Sequence, residues 1–343
     1  MTSFLRSDRS RAVAIWLWIV AALVLAMIVV GGSTRLTGSG LSITQWRPIS
    51  GALPPLGDAD WQAEFARYRA IPQFRFVNPH MTLGQFQFIY WWEWSHRFLA
   101  RLLGAVFLAP LAWFALRREL PGRLAWQFIA LVVLLGLEPV VGWWMVASGL
   151  SQRVYVAPER LMIHLGIAFA LLGALVWTAL DAGAGQARQT LPGPWGRRAL
   201  WLVGLVYLQV LLGALVAGNQ AGLVYNDWPL FAGHLLPQDY LGPGFWATLA
   251  HSQGAVQLHH RLIAYLLVVV ALAMGGEALQ SRYLSQPAKL LASGVGLLVL
   301  AQAGLGVATL LGKVPVGLGV AHQLVAALAF SLAVALAWRI RRI

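Results

Sequence analysis

The sequence predicts an all-α integral membrane protein. Its eight transmembrane helices are expected to form two tandem four-helix bundles related by a pseudo-two-fold axis along the membrane normal. Three observations predict this fold class: the composition, the number of long apolar runs and an internal repeat. Of the 343 residues, 59% are hydrophobic and 11% are charged, whereas a soluble domain carries about 25% charged residues.

Eight apolar runs approach the roughly 20 residues that cross a bilayer as a helix. They are Ala12–Gly32, Phe88–Leu116, Trp126–Ala147, Leu161–Leu180, Ala199–Val216, Val256–Ala273, Leu290–Leu311 and Val316–Ala337. The first run is too long, and too soon followed by others, to be a cleaved signal peptide.

The basic residues predict the orientation of these helices. More than half of the 25 Lys and Arg residues lie at one set of helix ends, and cytoplasmic loops are the ones enriched in positive charge. Both termini are therefore expected in the cytoplasm. The net charge of +13 reflects this topology and argues against a nucleic-acid partner.

The sequence contains no cysteine. This excludes disulfides, thiolate metal sites and covalent heme attachment through a C-x-x-C-H motif. Any metal must be held by histidine, carboxylate or a cofactor.

An internal repeat divides the chain into two halves. The segment Ser39–Pro55 aligns without gaps to Ala221–Pro237, and each segment follows the first span of its half. Four spans per half is an even number, so both halves enter the membrane from the same side. We predict an N-terminal half at 1–180, a cytoplasmic linker at 181–198 and a C-terminal half at 199–343. The other matched positions are His96/His260, Arg97/Arg261, Gly142/Gly306 and His164/His322.

The first outer loop contains a short amphipathic helix, "DADWQAEFARYRA", which we expect an aspartate to cap. Trp61, Phe65 and Tyr68 fall on one of its faces. Such a face suits either an interfacial helix or a helix that covers the bundle.

Four histidines occupy repeat-related positions on the even-numbered spans. Each is expected roughly four to nine residues past its helix start, which places all four in one layer near the outer surface. A lone membrane histidine is often a hydrogen bonder between helices. Four at matched depth indicate heme iron ligands. The predicted pairs are His96 with His164 and His260 with His322.

Charged residues near these histidines differ between the halves. Arg97 and Arg261 directly follow a histidine and either bind propionates or snorkel at a helix end. Glu93 lies three residues before His96, whereas its counterpart Gln257 is uncharged. A membrane acid is a candidate proton donor or acceptor; the structural alternative is an ion pair with an arginine such as Arg35. A second acid, Glu138, matches Gln302 and ranks below Glu93.

The residues carry a resemblance to a known family. The segments that carry it are "GGSTRLTGSGLSITQWRPISGALPP", "MTLGQFQFIYWWEWSHR", "GWWMVASGL", "RLMIHL", "AGLVYNDWP", "QLHHR" and "AHQ". From Gly31 to the last span, the chain resembles the heme A synthase family, particularly its proteobacterial and mitochondrial branch.

This resemblance implies an eight-helix enzyme that converts heme O to heme A. The methyl group at ring position 8 is oxidised to a formyl group by successive oxygen-dependent hydroxylations. By the family pattern, His96 and His164 hold the substrate heme, with Glu93 as the essential acid. The second half holds a resident heme b that passes electrons. The remaining assignments are iron ligation by His260 and His322 and cofactor binding by Arg35, Arg97 and Arg261.

The resemblance also implies location and partners. The enzyme is expected in the bacterial inner membrane, in contact with lipid. Its partners are heme O, O2 and an electron donor such as quinol, with heme O synthase or a second copy of the chain as further candidates. The sequence departs from the family pattern in four ways. It lacks the cysteine pair of some branches, has Gln220 in place of aspartate, has Glu138 in place of glutamine, and has Gly84 and Gln85 in place of more acidic residues before the second span.

Two other functions fit the pattern. A di-heme b-type electron carrier has the same ligands but leaves its heme unmodified. A transporter uses the repeat as its scaffold and the histidines as a proton relay.

Overall fold

The computed structural model describes residues 2–184 and 193–341, with side chains from residue 11 onward. Within those ranges the protein is helical and has no β-strand. The helices are α1 (Thr2–Leu36), α2 (Asp58–Arg69), α3 (Pro72–Phe76), α4 (Leu83–Leu116), α5 (Ala125–Ala147), α6 (Pro158–Gly183), α7 (Pro194–Gly218), α8 (Phe245–His251), α9 (Gln253–Gln280), α10 (Gln286–Leu311) and α11 (Val316–Ile340).

Eight of these helices are long and apolar enough to cross a membrane, which confirms the predicted number of spans. They are α1, α4, α5, α6, α7, α9, α10 and α11. The short helices α2, α3 and α8 belong to the connections on the side where the predicted outer loops lie.

The four central helices are α1, α6, α7 and α11, and they join the two halves. Contacts across the middle link α6 to α7, α1 to α11 and α6 to α11. In the first half α4 packs on α1 and α5 packs on α6, while in the second half α9 packs on α7 and α10 packs on α11. This order agrees with the repeat, and the pseudo-two-fold relation itself stays a prediction.

Helix α2 covers the outer end of the first half. Phe65 and Tyr68 are buried against Phe86 of α4, with ring centroids 5.1 and 5.3 Å away. Because this apolar face packs on protein, the covering role fits better than the interfacial one. The expected aspartate cap is wrong: the N-cap residue is Gly57, and Asp58 lies in the first turn, where the helix dipole favours a negative charge.

The linker predicted at 181–198 is shorter than expected, because the helices on both sides extend into it. Helix α6 continues to Gly183 and α7 begins at Pro194, while residues 185–192 lie outside the described part of the chain. Asp181 is buried and helical, and it accepts hydrogen bonds from the Gln127 amide at 2.7 Å and the Trp338 indole at 2.9 Å. A polar residue that looked like a loop therefore joins three helices.

We expect Asp181→Ala to lower the free energy of unfolding by about 1–3 kcal/mol, because it leaves buried donors of Gln127 and Trp338 unsatisfied. Thermal unfolding in detergent measures the loss. Asp181→Asn keeps an acceptor and should lose less. The control is Glu277→Ala, since Glu277 forms an exposed ion pair with Arg198 of little expected value. Equal midpoints for Asp181→Ala and the control would contradict this role.

Candidate heme-binding sites

The four paired histidines lie on four different membrane helices. His96 is on α4, His164 on α6, His260 on α9 and His322 on α11. Within each half the two imidazoles lie in electrostatic range of each other. The structure thus brings together the residues that the sequence pairs, and iron ligation by them stays a prediction.

The expected spacing from the helix start is wrong for His96. His164, His260 and His322 follow the first residue of their helices by six or seven positions, but His96 follows Leu83 by thirteen. The reason is a capping box: the Thr82 side chain accepts from the Gln85 backbone N–H, and the Gln85 side chain accepts from the Thr82 backbone N–H. This motif starts α4 before its apolar run begins.

A glycine on a neighbouring helix lies beside each of the four imidazoles. A Cβ added at Gly31 would lie 3.2 Å from His96, and one at Gly142 would lie 3.1 Å from His164. In the second half the equivalent distances are 3.0 Å from Gly213 to His260 and 2.9 Å from Gly306 to His322. Real Cβ atoms are rarely this close to another atom, so only glycine leaves room for the rings.

These residues fit two heme groups. A six-coordinate heme iron needs only two axial protein ligands, and each half offers two imidazoles. Among the described residues no three His, Cys, Asp or Glu side chains cluster to hold a bare metal ion, which would require more protein ligands. The glycines supply the space that imidazole rings need to turn toward such a group.

In the first half, Glu93 and Arg97 form a buried ion pair one helical turn apart. Glu93 is 4% exposed, and its Oε1 accepts from Arg97 Nε at 2.6 Å. The other two nitrogens of Arg97 donate to the carbonyls of Ile43 and Gln45, both at 2.8 Å. Arg97 therefore fastens the first outer loop to α4 and holds the acid in place.

The second half repeats this arrangement with an amide. Arg261 donates to Gln257 Oε1 at 2.7 Å and to the loop carbonyls of Asp227, Pro229 and Leu230. It is 7% exposed, so it does not snorkel into water. The arginines of both halves thus bind outer-loop backbone and the residue four positions earlier.

Gln257 also donates hydrogen bonds to backbone carbonyls, which an ionised carboxylate cannot do. Its Nε2 donates to the carbonyls of Ala221 and Tyr225 at 2.9 and 3.1 Å. The amide is therefore fully occupied in fixing the second outer loop. Among the described residues, the one hydrogen-bond partner of the Glu93 carboxylate is Arg97, which binds Oε1 and leaves Oε2 without a hydrogen bond.

Three further polar side chains, Glu138, Gln302 and Gln209, approach the paired histidines from neighbouring helices. Glu138 Oε2 lies 2.8 Å from His164 Nδ1, without hydrogen-bond geometry. In the second half Gln302 donates to the His322 carbonyl at 2.8 Å. Glu138, ranked below Glu93 from sequence, thus directly contacts a predicted ligand.

No pattern in the sequence indicated that Gln209 approaches His260. Gln209 Nε2 lies 3.0 Å from His260 Nδ1 and donates to its carbonyl at 3.0 Å. An uncharged amide in a membrane span does not by itself indicate a functional site. The repeat also does not mark it, because the equivalent residue of the first half is Met27. The glycines beside the imidazoles were also missed, although the repeat pairs Gly31 with Gly213.

Among the described residues, none of the remaining candidates forms a hydrogen bond with a paired histidine. Arg35 is half-buried in the last turn of α1, in electrostatic range of Tyr155, and Glu93 takes Arg97 as its partner. His259 lies 3.1 Å from the Tyr240 hydroxyl. The other three histidines are His80, His234 and His251.

An outer cavity of about 380 Å³ lies next to Arg97, between the first outer loop and α2. Its lining includes Arg47, Arg67 and Arg101 as well as Glu64. Glu64 pairs with Arg47 and Arg67, and its hydrogen bond raises the pKa of Arg67. Arg101 keeps one buried nitrogen without a hydrogen-bond partner. This excess of guanidinium groups suits carboxylates, such as porphyrin propionates.

Comparison with known proteins identifies the family. A sequence profile of the cytochrome oxidase assembly protein family, COX15-CtaA, matches residues 14–334. The protein belongs to this family. It is 59% identical over 342 residues to a protein of Caulobacter sp. (strain K31) named Heme A synthase, and 57% identical over 342 residues to the one of Caulobacter vibrioides (strain ATCC 19089 / CIP 103742 / CB 15); 100% of each chain is covered. The Heme A synthase of Maricaulis maris (strain MCS10) is 47% identical, with 98% of each chain covered.

Gly306, which lies beside His322, provides a test of the heme site predicted in the second half. We expect Gly306→Ala to weaken heme retention roughly 5- to 100-fold, because the added Cβ overpacks against His322. Heme per protein and the Soret spectrum after purification measure the effect.

Gly304→Ala on the same helix is the matched control, since a Cβ there meets nothing within 4 Å. Equal heme content in the two variants would show that Gly306 does not reserve space for the imidazole.

Proposed function

We propose that the protein converts heme O to heme A, with the chemistry in the half formed by residues 1–180. The observation that carries this proposal is the one chemical difference between two otherwise matched arginine pairs: Glu93 beside Arg97, and Gln257 beside Arg261. A carboxylic acid can donate and accept a proton, which an amide cannot do near neutral pH. The names of the relatives support the identity of the substrate and product.

In this proposal His96 and His164 hold the iron of the substrate between α4 and α6. Glu93 lies one turn from His96 on nearly the same helix face and in electrostatic range of His164, so its carboxylate is close to any ring held there. Arg97 keeps Glu93 oriented and binds it as a carboxylate. The methyl group at ring position 8 neighbours a propionate-bearing position, which draws that edge of the ring toward the arginines.

The half formed by residues 199–343 holds the resident cofactor in this proposal. His260 and His322 would hold a heme b, which when bound would supply electrons one at a time. Gln209 and Gln302 fix these two helix positions through the histidine carbonyls. Both are uncharged amides, which suits a site that carries electrons and transfers no protons.

The reaction requires an external source of electrons. Oxidation of a methyl group to a formyl group by two hydroxylations consumes two O2, four electrons and four protons and releases three waters. The chain has no thiol to store electrons, so we propose a membrane donor such as quinol.

The proposed setting is the bacterial inner membrane, with both termini in the cytoplasm. The histidines then lie toward the outer side, and the segment between α6 and α7 is on the inner side. Heme O synthase is the proposed source of substrate, and contact with it or with a second copy of the chain takes place within the bilayer.

Glu93→Gln tests the chemical step. We expect heme A formation to fall by on the order of 10²- to 10⁴-fold, the range for loss of a general acid or base, with bound heme unchanged. Gln257 already accepts a hydrogen bond from its arginine, so a glutamine at 93 should preserve the loop. Co-expression with a heme O source, followed by heme extraction and mass analysis, measures the product.

Glu159→Gln is the control, because Glu159 lies in the first turn of α6 and is partly exposed. Wild-type heme A production by Glu93→Gln would refute the proposal. If the protein transfers electrons but leaves the heme O pool unchanged, the di-heme electron carrier is the correct function. If the purified protein has no Soret band, the transporter is the correct function.

The resident site has its own test. We expect His260→Ala and His322→Ala each to remove one bound heme while the protein remains inserted, because each removes one of the two proposed axial ligands. His234→Ala in the outer loop is the control. Full heme content in both variants would disprove the ligand assignment; pyridine hemochrome analysis of purified protein measures it.

A further inference from the structure

The two halves differ in how their outer helices pack. In the second half α9 and α10 lie closely side by side along their length, whereas the equivalent helices α4 and α5 barely approach each other. The contacts with the central helices are alike in both halves: α5 packs on α6 and α4 on α1, as α10 packs on α11 and α9 on α7. The first half is therefore open toward lipid at a position where the second half is closed.

Small residues close the second half. A Cβ added at Gly275 of α9 would lie 3.2 Å from Ser293 Cα, and one at Gly296 of α10 would lie 3.0 Å from the Ala271 carbonyl. The two backbones are therefore in direct contact. Such contacts associate helices in membranes, where no hydrophobic effect drives them together.

Bulky residues replace this interface in the first half. The offset of 164 that pairs His96 with His260 also pairs each small residue of the α9–α10 contact with a larger one. The pairs are Ala271/Phe107, Gly275/Leu111, Ala278/Phe114, Ala292/Phe128 and Gly296/Val132.

Three of these aromatic residues surround Trp16 of α1. Its ring lies 5.5 Å from Phe107, 5.6 Å from Phe114 and 6.2 Å from Phe128, and its indole N–H donates to the Val106 carbonyl at 2.9 Å. This aromatic cluster joins α1, α4 and α5 at the end of the space between α4 and α5 that is farther from the outer loops.

The outer end of the same space is bounded by Arg97 and Trp143. The guanidinium carbon of Arg97 lies 6.0 Å from the centroid of Trp143 on α5, and Trp143 stacks on Trp46 of the outer loop. Ten residues of α4 separate Arg97 from Phe107, about 15 Å of helix.

Between these two boundaries each helix carries a glycine on the same face as the boundary residue: Gly104 follows Arg97 by seven positions on α4, and Gly136 precedes Trp143 by seven positions on α5. A Cβ at Gly104 or Gly136 would meet nothing within 4 Å. The second half has Val268 and Leu300 at these positions. We call the space between α4 and α5, from Trp143 to Phe107, the α4–α5 cleft.

We propose that the α4–α5 cleft admits the substrate from the bilayer and binds its farnesyl tail. This inference rests on the proposed function, which makes heme O the substrate. The cleft borders the helices that carry His96 and Glu138, it is apolar, and it runs away from the arginines. On heme O the farnesyl group lies across the ring from the propionates, so propionates at the arginines direct the tail into the cleft. In the second half the direct contact between α9 and α10 leaves no such opening, which suits a resident heme that is not exchanged.

The test fills the cleft and compares hemes with and without the tail. Purified protein that retains its resident heme is titrated with heme O and with heme B, and Soret difference spectra report binding. We expect Gly136→Trp to weaken heme O binding at least about tenfold, because the indole occupies space that the tail buries. Heme B affinity should change by less than about twofold.

Gly304→Trp on α10 is the matched control, because this glycine is also exposed and also has nothing within 4 Å. Gly104→Trp tests the same cleft from the opposite helix, and resident heme content confirms folding of each variant. Unchanged heme O affinity in the folded cleft variants would overturn the proposal, as would wild-type protein that binds heme O no more tightly than heme B. Heme O that binds with this dependence but is never converted refutes the enzymatic proposal and supports the cleft.

Discussion

The binding of an arginine guanidinium to outer-loop carbonyls is the interaction on which both candidate sites depend. Arg97 and Arg261 each bind backbone carbonyls and the residue four positions earlier. Each arginine also directly follows a predicted iron ligand, so its side chain points about 100° away from that histidine around the helix. Fixing the guanidinium fixes the rotation of the helix and thereby the direction of the imidazole.

The two halves show what a duplicated site gains when one residue changes. In a low-dielectric interior, a buried carboxylate requires a charged partner, and Arg97 satisfies Glu93. An amide at the equivalent position needs no charge and gains two donors, which Gln257 uses to hold Ala221 and Tyr225. At this pair of positions both side chains of the second half bind the loop, whereas in the first half only the arginine of the pair does. Arg101 adds loop contacts to the carbonyls of Arg47 and Pro48, and the acid is left as a group that can exchange a proton.

The sequence predicted the features that follow from hydropathy and repetition. Eight spans and the pairing of histidines within halves require only apolar run lengths and an alignment of the chain with itself. Features set by local hydrogen bonds were predicted wrongly. The Thr82–Gln85 capping box extends α4 beyond its apolar run, and Asp181 resembled a loop residue because its partners, Gln127 and Trp338, are distant in sequence.

The packing of the two outer helices within each half, α4 with α5 and α9 with α10, could not be predicted from the sequence for a different reason. Neither half alone signals an open or closed pair, because Phe107 and Ala271 are both ordinary residues of an apolar helix. The signal lies in the comparison: Gly275 and Gly296 bring backbones together, and their counterparts Leu111 and Val132 do not. In lipid, where side-chain size decides whether helices associate, such substitutions leave the transmembrane topology unchanged. In the proposed function, such substitutions allow one fold to retain a cofactor in one bundle and to exchange a substrate in the other.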